Sequence, residues 1–167
     1  MRAGRRIAAL AGALTLGLCA PACAFSNIDL VQDHRVHINE PASYSTVGLP
    51  LTIRWTASST LAPDTQYAVF VDRTVIKPGA SIRTVANGDR QCLANPACPT
   101  PTYLHDHDVY VVSSPQLTLK FLPDLAGTKR GISQDEHTIT VVILNDGKRD
   151  GENAFSRTFY IRREASA

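Results

Sequence analysis

The sequence predicts a single all-β domain, an antiparallel sandwich of about seven to nine strands. Short segments in which apolar and polar residues alternate recur between residues 35 and 163, and this period of two is typical of strands with one buried face. Ten glycines and ten prolines punctuate the chain, and helical periodicity is weak. The clearest segments are residues 136–143 and 155–161, which alternate on either side of a Gly/Asp-rich turn and predict a closing hairpin.

The first 24 residues have the order of a secretory signal peptide. A basic start, Met1 to Arg6, precedes an apolar run from Ile7 to Leu18, which is shorter than the roughly 20 residues that span a bilayer. Ala22-Cys23-Ala24 then fits the small-x-small rule and predicts cleavage before Phe25. We therefore expect an exported protein, either periplasmic or secreted.

A membrane-anchored lipoprotein is the alternative to soluble export. Cys23 follows Ala20-Pro21-Ala22, a weak lipobox because a large aliphatic residue is expected three places before the cysteine. Cys19 has that aliphatic residue in Leu16, but Leu18 is bulky where a small residue is expected. Lipidation at Cys23 is the only route by which we expect this chain to associate with a membrane.

The net charge changes when the signal peptide is removed. The whole chain carries +2, and the leader holds three arginines and no acidic residue. The mature chain is left with 14 basic and 15 acidic residues, a net charge of −1. No stripe of Lys and Arg interleaved with aromatics remains, so the sequence argues against nucleic-acid binding.

The strands can be predicted in order after an irregular lead-in over residues 25–34. They fall at Val36–Ile38, Leu51–Thr56, Tyr67–Val71, Thr74–Ile76, Ile82–Val85, Val109–Val112 and Leu117–Phe121, followed by the closing pair, whose inward residues are Ile139, Val141, Ile143, Phe159 and Ile161. Pro41 ends the first strand and Pro78-Gly79 stops the fourth.

Two parts of the chain resemble a known family. Ile38-Asn39-Glu40-Pro41, followed by Leu49 to Ala57 with Trp55, resembles the opening of bacterial immunoglobulin-like and fibronectin type III-like domains. Residues 137–141 with 155–161 are similar to the closing hairpin of those domains. The resemblance implies an immunoglobulin-like sandwich over residues 35–163, without the Cys…Trp…Cys spacing of antibody domains. A fold of this kind implies no particular function.

Residues 77–108 form an unusually long predicted insertion. They show little strand pattern, and ordinary connections have a median of roughly 4–6 residues. Export would leave Cys92 and Cys98 as the only pair of cysteines, and an oxidising compartment favours a disulfide between them over a zinc site or a catalytic thiol. Because long loops on rigid scaffolds often carry binding, we expect the working surface here.

His105 and His107 are the best candidate metal ligands. In an extended chain both would point to one face, an arrangement that suits Cu(II), Zn(II) or Ni(II). His34 and His37 would add ligands if the first strand ran nearby. The alternative interpretation is a solvated polar segment that leads into the strand at Val109.

The sequence is best explained by a non-catalytic binding or structural module of the cell envelope, with no cofactor. Nucleophile, phosphate-loop and zinc-protease motifs are absent from the sequence, so we do not expect an enzyme. Phe70, Tyr103 and Tyr110 are the candidate contact residues for a protein or other envelope component. The alternatives are a periplasmic metal-binding protein using His105 and His107, a protease inhibitor, and a hydrolase with an unrecognised site.

Overall fold

The structure is a computed structural model that describes residues 32–62, 64–122 and 134–162. In this part it has nine strands, two short α-helices and one 3-10 helix. The strands are β1 (Val36–Glu40), β2 (Thr46–Val47), β3 (Leu51–Ala57), β4 (Gln66–Val71), β5 (Val109–Val112), β6 (Gln116–Leu119), β7 (Gln134–Asn145), β8 (Lys148–Asp150) and β9 (Ser156–Arg162). The 3-10 helix covers Ile82–Ala86, and the α-helices are α1 (Arg90–Leu93) and α2 (Pro101–His105). The predicted signal peptide, with Cys19 and Cys23, lies outside the described residues.

The strands form two sheets. One sheet has the order β1-β3-β6, and the other has the order β2-β9-β7-β4-β5, with β8 paired to the end of β7. All pairs are antiparallel except β2 with β9. The prediction of a mostly-β chain with seven to nine strands is therefore confirmed.

The space between the sheets holds the main apolar core. Alternate residues of β1, β3, β4, β7 and β9 point into it, as the sequence pattern predicts. Ile53, Val69, Ile139 and Phe159 are completely shielded from solvent. Trp55 also lies in this core, with its ring edge-on to that of Tyr67 at a centroid distance of 5.4 Å.

The closing hairpin forms with one interruption. β7 turns at Asp146-Gly147, both with positive φ (48° and 70°), which suits a two-residue turn, and the chain returns as β8. After an irregular stretch from Gly151 to Phe155 it continues as β9, again antiparallel to β7. The inward placement of Ile139, Val141 and Ile143 and of the β9 residues is confirmed.

The end of the lead-in is tied to that interruption. Asp33 N donates to Asn153 O at 2.8 Å, and Gln32 forms a bridge with Asn153. The Arg35 guanidinium lies between two carboxylates, 2.8 Å from Asp33 and 3.0 Å from Asp150. The Arg35 hydrogen bond is the largest cause of a pKa of Asp33 below its usual value, although burial opposes it.

Two of the predicted strands are wrong. Residues 74–76 belong to no strand or helix, and residues 82–86 form the 3-10 helix instead of an edge strand. Asp72 adopts a positive φ of 48°, which turns the chain away from the direction of β4. Ser81 then caps the 3-10 helix by accepting a hydrogen bond from Arg83 N. Ile82 and Val85 are apolar because they pack against the face of a sheet, and they are not part of a strand.

Candidate binding surface

Residues 72–108, between β4 and β5, contain the predicted insertion and pack over the outer face of the larger sheet. A second apolar cluster forms there, separate from the inter-sheet core. It contains Ala68, Phe70, Ile76, Val85, Leu104, Val109, Val142 and Leu144. Strand β4 and residues 139–144 of β7 are therefore buried on both faces, and the insertion is a packed layer rather than a free loop.

The base of this layer is fastened to β7 by a buried pair of side chains. Asp72 Oδ2 lies 2.7 Å from His137 Nδ1, and Asp72 Oδ1 accepts a hydrogen bond from Thr138 N at 2.7 Å. His137 is 2% exposed, and its ring packs near that of Phe159. At the other end of the layer, Val71 N donates to Asp108 O at 3.0 Å, so both ends meet at the end of β4.

Two arginines hold the backbone of the layer. Arg73 donates to the carbonyl oxygens of His107 and Val85. Arg149 of β8 is buried and donates to the carbonyl oxygens of Ile76 and Glu152, and burial lowers its pKa. Because both side chains satisfy carbonyl groups that no strand partner reaches, they replace ladder hydrogen bonds in an irregular segment.

The outer tip of the layer is closed by the predicted cysteine pair. The sulfur atoms of Cys92 and Cys98 lie within bonding distance, their Cα atoms are 5.4 Å apart, and both side chains are buried with Ala86.

Helix caps also fix the tip. Asp89 caps α1 by accepting from Gln91 N and Cys92 N, and these backbone bonds lower its pKa. Arg83 donates to Pro96 O, and Thr100 caps α2. The tip is thus fixed by a covalent link and by helix caps.

The prediction that Phe70 is a contact residue is wrong. Phe70 is 1% exposed, because Ile76, Val85 and Leu104 of the layer cover the face of β4 on which it lies. The sequence carried a signal for this burial. Residues 67–71 and 141–144 are apolar on both faces, which is typical of strands that are covered on both sides.

The other two contact candidates are half-buried and lie at different places. Tyr103 of α2 packs against the cysteine pair and shares a hydrogen bond with Asp89, and burial raises its pKa. Tyr110 of β5 packs on the edge of the inter-sheet core and also lines an open groove. The structure therefore does not bring the three aromatic residues together in one patch.

The extended geometry predicted for His105 and His107 is also wrong. His105 ends α2 and is exposed, whereas His107 lies in the following turn with Nδ1 2.7 Å from Tyr103 O and its ring stacked on Tyr103. His105 instead meets the ring of Tyr110 edge-on.

Within the described ranges, no group of three or more His, Cys, Asp or Glu residues is placed to hold a metal ion. His34 packs on Phe155. Metal binding by this pair stays a prediction.

A concave site lies between β5 and β6. It is a groove of about 700 Å³ with an apolar floor of Tyr110, Leu117 and Leu119. Its polar rim comes from the end of the insertion, namely His105, Asp106 and Asp108, and Lys120 and Phe121 lie along the β6 side. Phe121 is 81% exposed. An apolar groove with a few convergent polar groups is the usual form of a ligand site.

Asp108 is the unusual polar group of the rim. Burial is the largest cause of a pKa above its usual value, and the nearby Asp72 carboxylate adds to the effect, while Arg73 opposes it. Among the described residues, none donates a hydrogen bond to its carboxylate. A cation or hydrogen-bond donor placed beside this half-buried carboxylate would stabilise its charged form.

The described part of the chain contains no helix that is long and apolar enough to cross a bilayer. No protein-family model matches the sequence, and no curated protein is significantly similar to it.

Proposed function

We propose that this chain is an exported, non-catalytic binding module of the cell envelope, built on an immunoglobulin-like sandwich. Its working surface is the outer side of the insertion of residues 77–108. One observation supports this most strongly. The insertion is packed on the larger sheet and fixed at its tip, while residues such as Arg90, Gln91 and Leu93 stay exposed. A surface ordered before binding loses less conformational entropy when a partner docks.

The strand orders support the immunoglobulin-like assignment. In such sandwiches, one sheet contains strands A, B and E and the other contains strands G, F and C, with C′ added in the variable type. The orders β1-β3-β6 and β9-β7-β4-β5 correspond to these two sets, and β2 lies beside the last strand. The insertion then connects C to C′ and covers the outer face of the larger sheet.

A binding role is favoured over catalysis by the state of the buried polar groups. His137 is engaged with Asp72 inside the sandwich, and Arg149 is engaged with backbone carbonyl oxygens. Both therefore serve the packing of the insertion. Within the described residues, the exposed His105 makes its one ion-pair contact with Asp106, 3.7 Å away at the surface. This arrangement supports recognition rather than general base catalysis.

The surface is tested by charge reversal at the tip. Arg90→Glu with Leu93→Glu changes two exposed residues of α1 and leaves the cysteine pair and the caps intact. We expect the variant to fold normally and to lose partner capture from envelope extracts by at least tenfold, measured by quantitative affinity enrichment against wild type. Unchanged capture would refute the tip as the working surface.

A matched control lies on the opposite sheet. Asn39→Glu with Thr56→Glu places two glutamates at exposed positions of β1 and β3 that do not line the groove between β5 and β6. Capture by this variant is expected to equal that of wild type. The intact mass of the exported protein tests the predicted export, because cleavage before Phe25 and a lipid on Cys23 give different masses.

A further inference from the structure

The sandwich is open along one side, where the last strands of the two described sheets face each other. β5 ends the larger sheet and β6 ends the smaller one, and residues 113–115 cross directly between them. Tyr110, Leu117 and Leu119 therefore form the floor of the groove and are also part of the inter-sheet core. This side of the core is covered by no strand of the described part.

Within the strand itself, β5 has no feature that protects an edge from pairing, and its nearest charge is Asp108, directly before it. By comparison, β1 has a register shift between Ile38 and Glu40, and β2 has only two residues. β5 reads Val-Tyr-Val-Val, without charge or proline, and its ladder with β4 runs without a register shift. Val111 is 37% exposed on it. Edge strands of this kind are templates for a further strand.

The rim of the groove selects the charge of what enters. Asp106 and Asp108 lie just before the start of β5, and the Asp108 carboxylate receives no hydrogen bond from the described residues around it. Arg73 provides positive charge on that side but is occupied by carbonyl oxygens of the insertion, and Lys120 lies on the opposite, β6 side. A primary amine or guanidinium beside Asp108 would supply the missing donor.

We propose that the groove between β5 and β6 takes an extended peptide of a partner protein, which pairs with the free edge of β5. Alternate apolar side chains of the peptide cover Tyr110, Leu117 and Leu119, and a Lys or Arg side chain reaches Asp106 and Asp108. Main-chain hydrogen bonds give such strand addition its affinity, and the pockets for alternate side chains give it its specificity. The inference deepens the proposed function, because it gives a binding module a ligand class.

Synthetic peptides test this inference without altering the protein. The probe is a fluorescent eight-residue peptide with two lysines followed by alternating valine and threonine, measured by anisotropy. Only every second amide of an added strand faces β5, so N-methylation of one alternate set of amides is expected to abolish binding. N-methylation of the other set is expected to leave binding within about threefold. Equal effects of both sets, or no binding of any peptide, would overturn the proposal.

Side-chain selection is tested with a matched pair of variants. Asp106→Asn with Asp108→Asn is expected to weaken the lysine peptide about three- to tenfold at low ionic strength and to leave a peptide with threonine in place of lysine unchanged. Asp64→Asn, on the loop before β4, is the charge control and is expected to have no effect. Stronger binding of a glutamate peptide than of the lysine peptide would overturn the charge assignment.

Two other occupants of the groove would be revealed by the same protein. Light scattering would detect dimers that form with concentration. If the peptide dissociates such dimers, the edge pairs with a second copy of the chain, and the proposal is overturned. Binding of an oligosaccharide in the groove without binding of the peptide would overturn it as well. The proposed tip surface fails independently. Arg90→Glu with Leu93→Glu is expected to leave peptide binding intact, so loss of capture without loss of peptide binding separates the two sites.

Discussion

At the scale of single residues, the Asp72–His137 pair does the most to fix where the insertion begins. His137→Ala leaves the nearly buried Asp72 carboxylate without its imidazole partner and opens a void beside Phe159. We expect the free energy of unfolding to fall by about 2–3 kcal/mol. Urea unfolding measures it, with the exposed His105→Ala as the control expected to change stability by less than about 0.5 kcal/mol. Equal effects of the two substitutions would contradict this role.

Asp33 makes a pH-dependent contribution at the same scale. Its pKa in the folded chain is lowered, chiefly by the Arg35 hydrogen bond, so the ionised form is stabilised by folding. That contribution is complete above the unfolded value of about 3.9 and is lost as the pH falls through the lower folded value. Asp33→Asn is therefore expected to cost about 1 kcal/mol at pH 7 and much less at pH 3. A cost that does not shrink on acidification would contradict the assignment.

Residue-level prediction succeeded where the signal was local and failed where it depended on distant contacts. Alternation placed Ile139, Val141 and Phe159 inward because the pleat of a strand alone decides this. The same alternation places His137 inward, but no local pattern identifies Asp72 as its partner, since the two are 65 positions apart. The metal hypothesis assumed an extended chain, whereas Pro101 and the Thr100 cap begin a helix that ends at His105.

At the scale of elements, the insertion and the sheet stabilise each other through the outer apolar cluster. Phe70→Ala removes the largest side chain of that cluster, and we expect a cost of about 3–5 kcal/mol. Phe121→Ala is the matched control, because the same truncation at an 81% exposed position is expected to be nearly neutral. Thermal and urea unfolding measure both. A neutral Phe70→Ala would mean that the insertion does not pack on β4.

The cysteine pair is expected to stabilise the tip more than the domain. It closes a loop of seven residues, for which chain entropy gives about 2 kcal/mol. Cys92→Ser with Cys98→Ser is expected to increase hydrogen exchange over residues 87–104 and to leave β7 and β9 protected. Exchange that rises equally in β7 and β9 would contradict a local role. Oxidised and reduced wild type give the matched comparison.

The order of the elements was predictable in part, because most strands show an alternation of apolar and polar residues with a period of two. The errors lie in residues 72–86, where short apolar groups such as Ile82 and Val85 looked like edge strands. Their apolar side chains contact the outer sheet face. Their backbone is satisfied by a short pairing with residues 147–149, in which Ile82 N donates to Gly147 O, and by Arg73, which donates to Val85 O, instead of by an extended ladder. Because Gly147 is distant in the sequence, the local pattern does not reveal this pairing.

At the scale of the whole molecule, a sandwich with one covered sheet face and one open side presents two distinct surfaces. The insertion covers the outer face of the larger sheet over β4 and the last part of β7 and presents its own tip to solvent. The open side leaves the groove between β5 and β6, rimmed by the end of the same insertion. The long insertion was evident in the sequence, whereas the groove depends on which strands end the two sheets and needed the structure.

The central claim is that the exposed tip of the insertion is the working surface of an exported binding module. Site-specific photo-crosslinking from position 90 or 93, in the protein as its native cell exports it, tests this claim most directly. We expect one discrete adduct from each tip position and none from position 39 or 56 on the opposite sheet. Adducts from the opposite sheet alone, or no adduct from either tip position, would contradict the account.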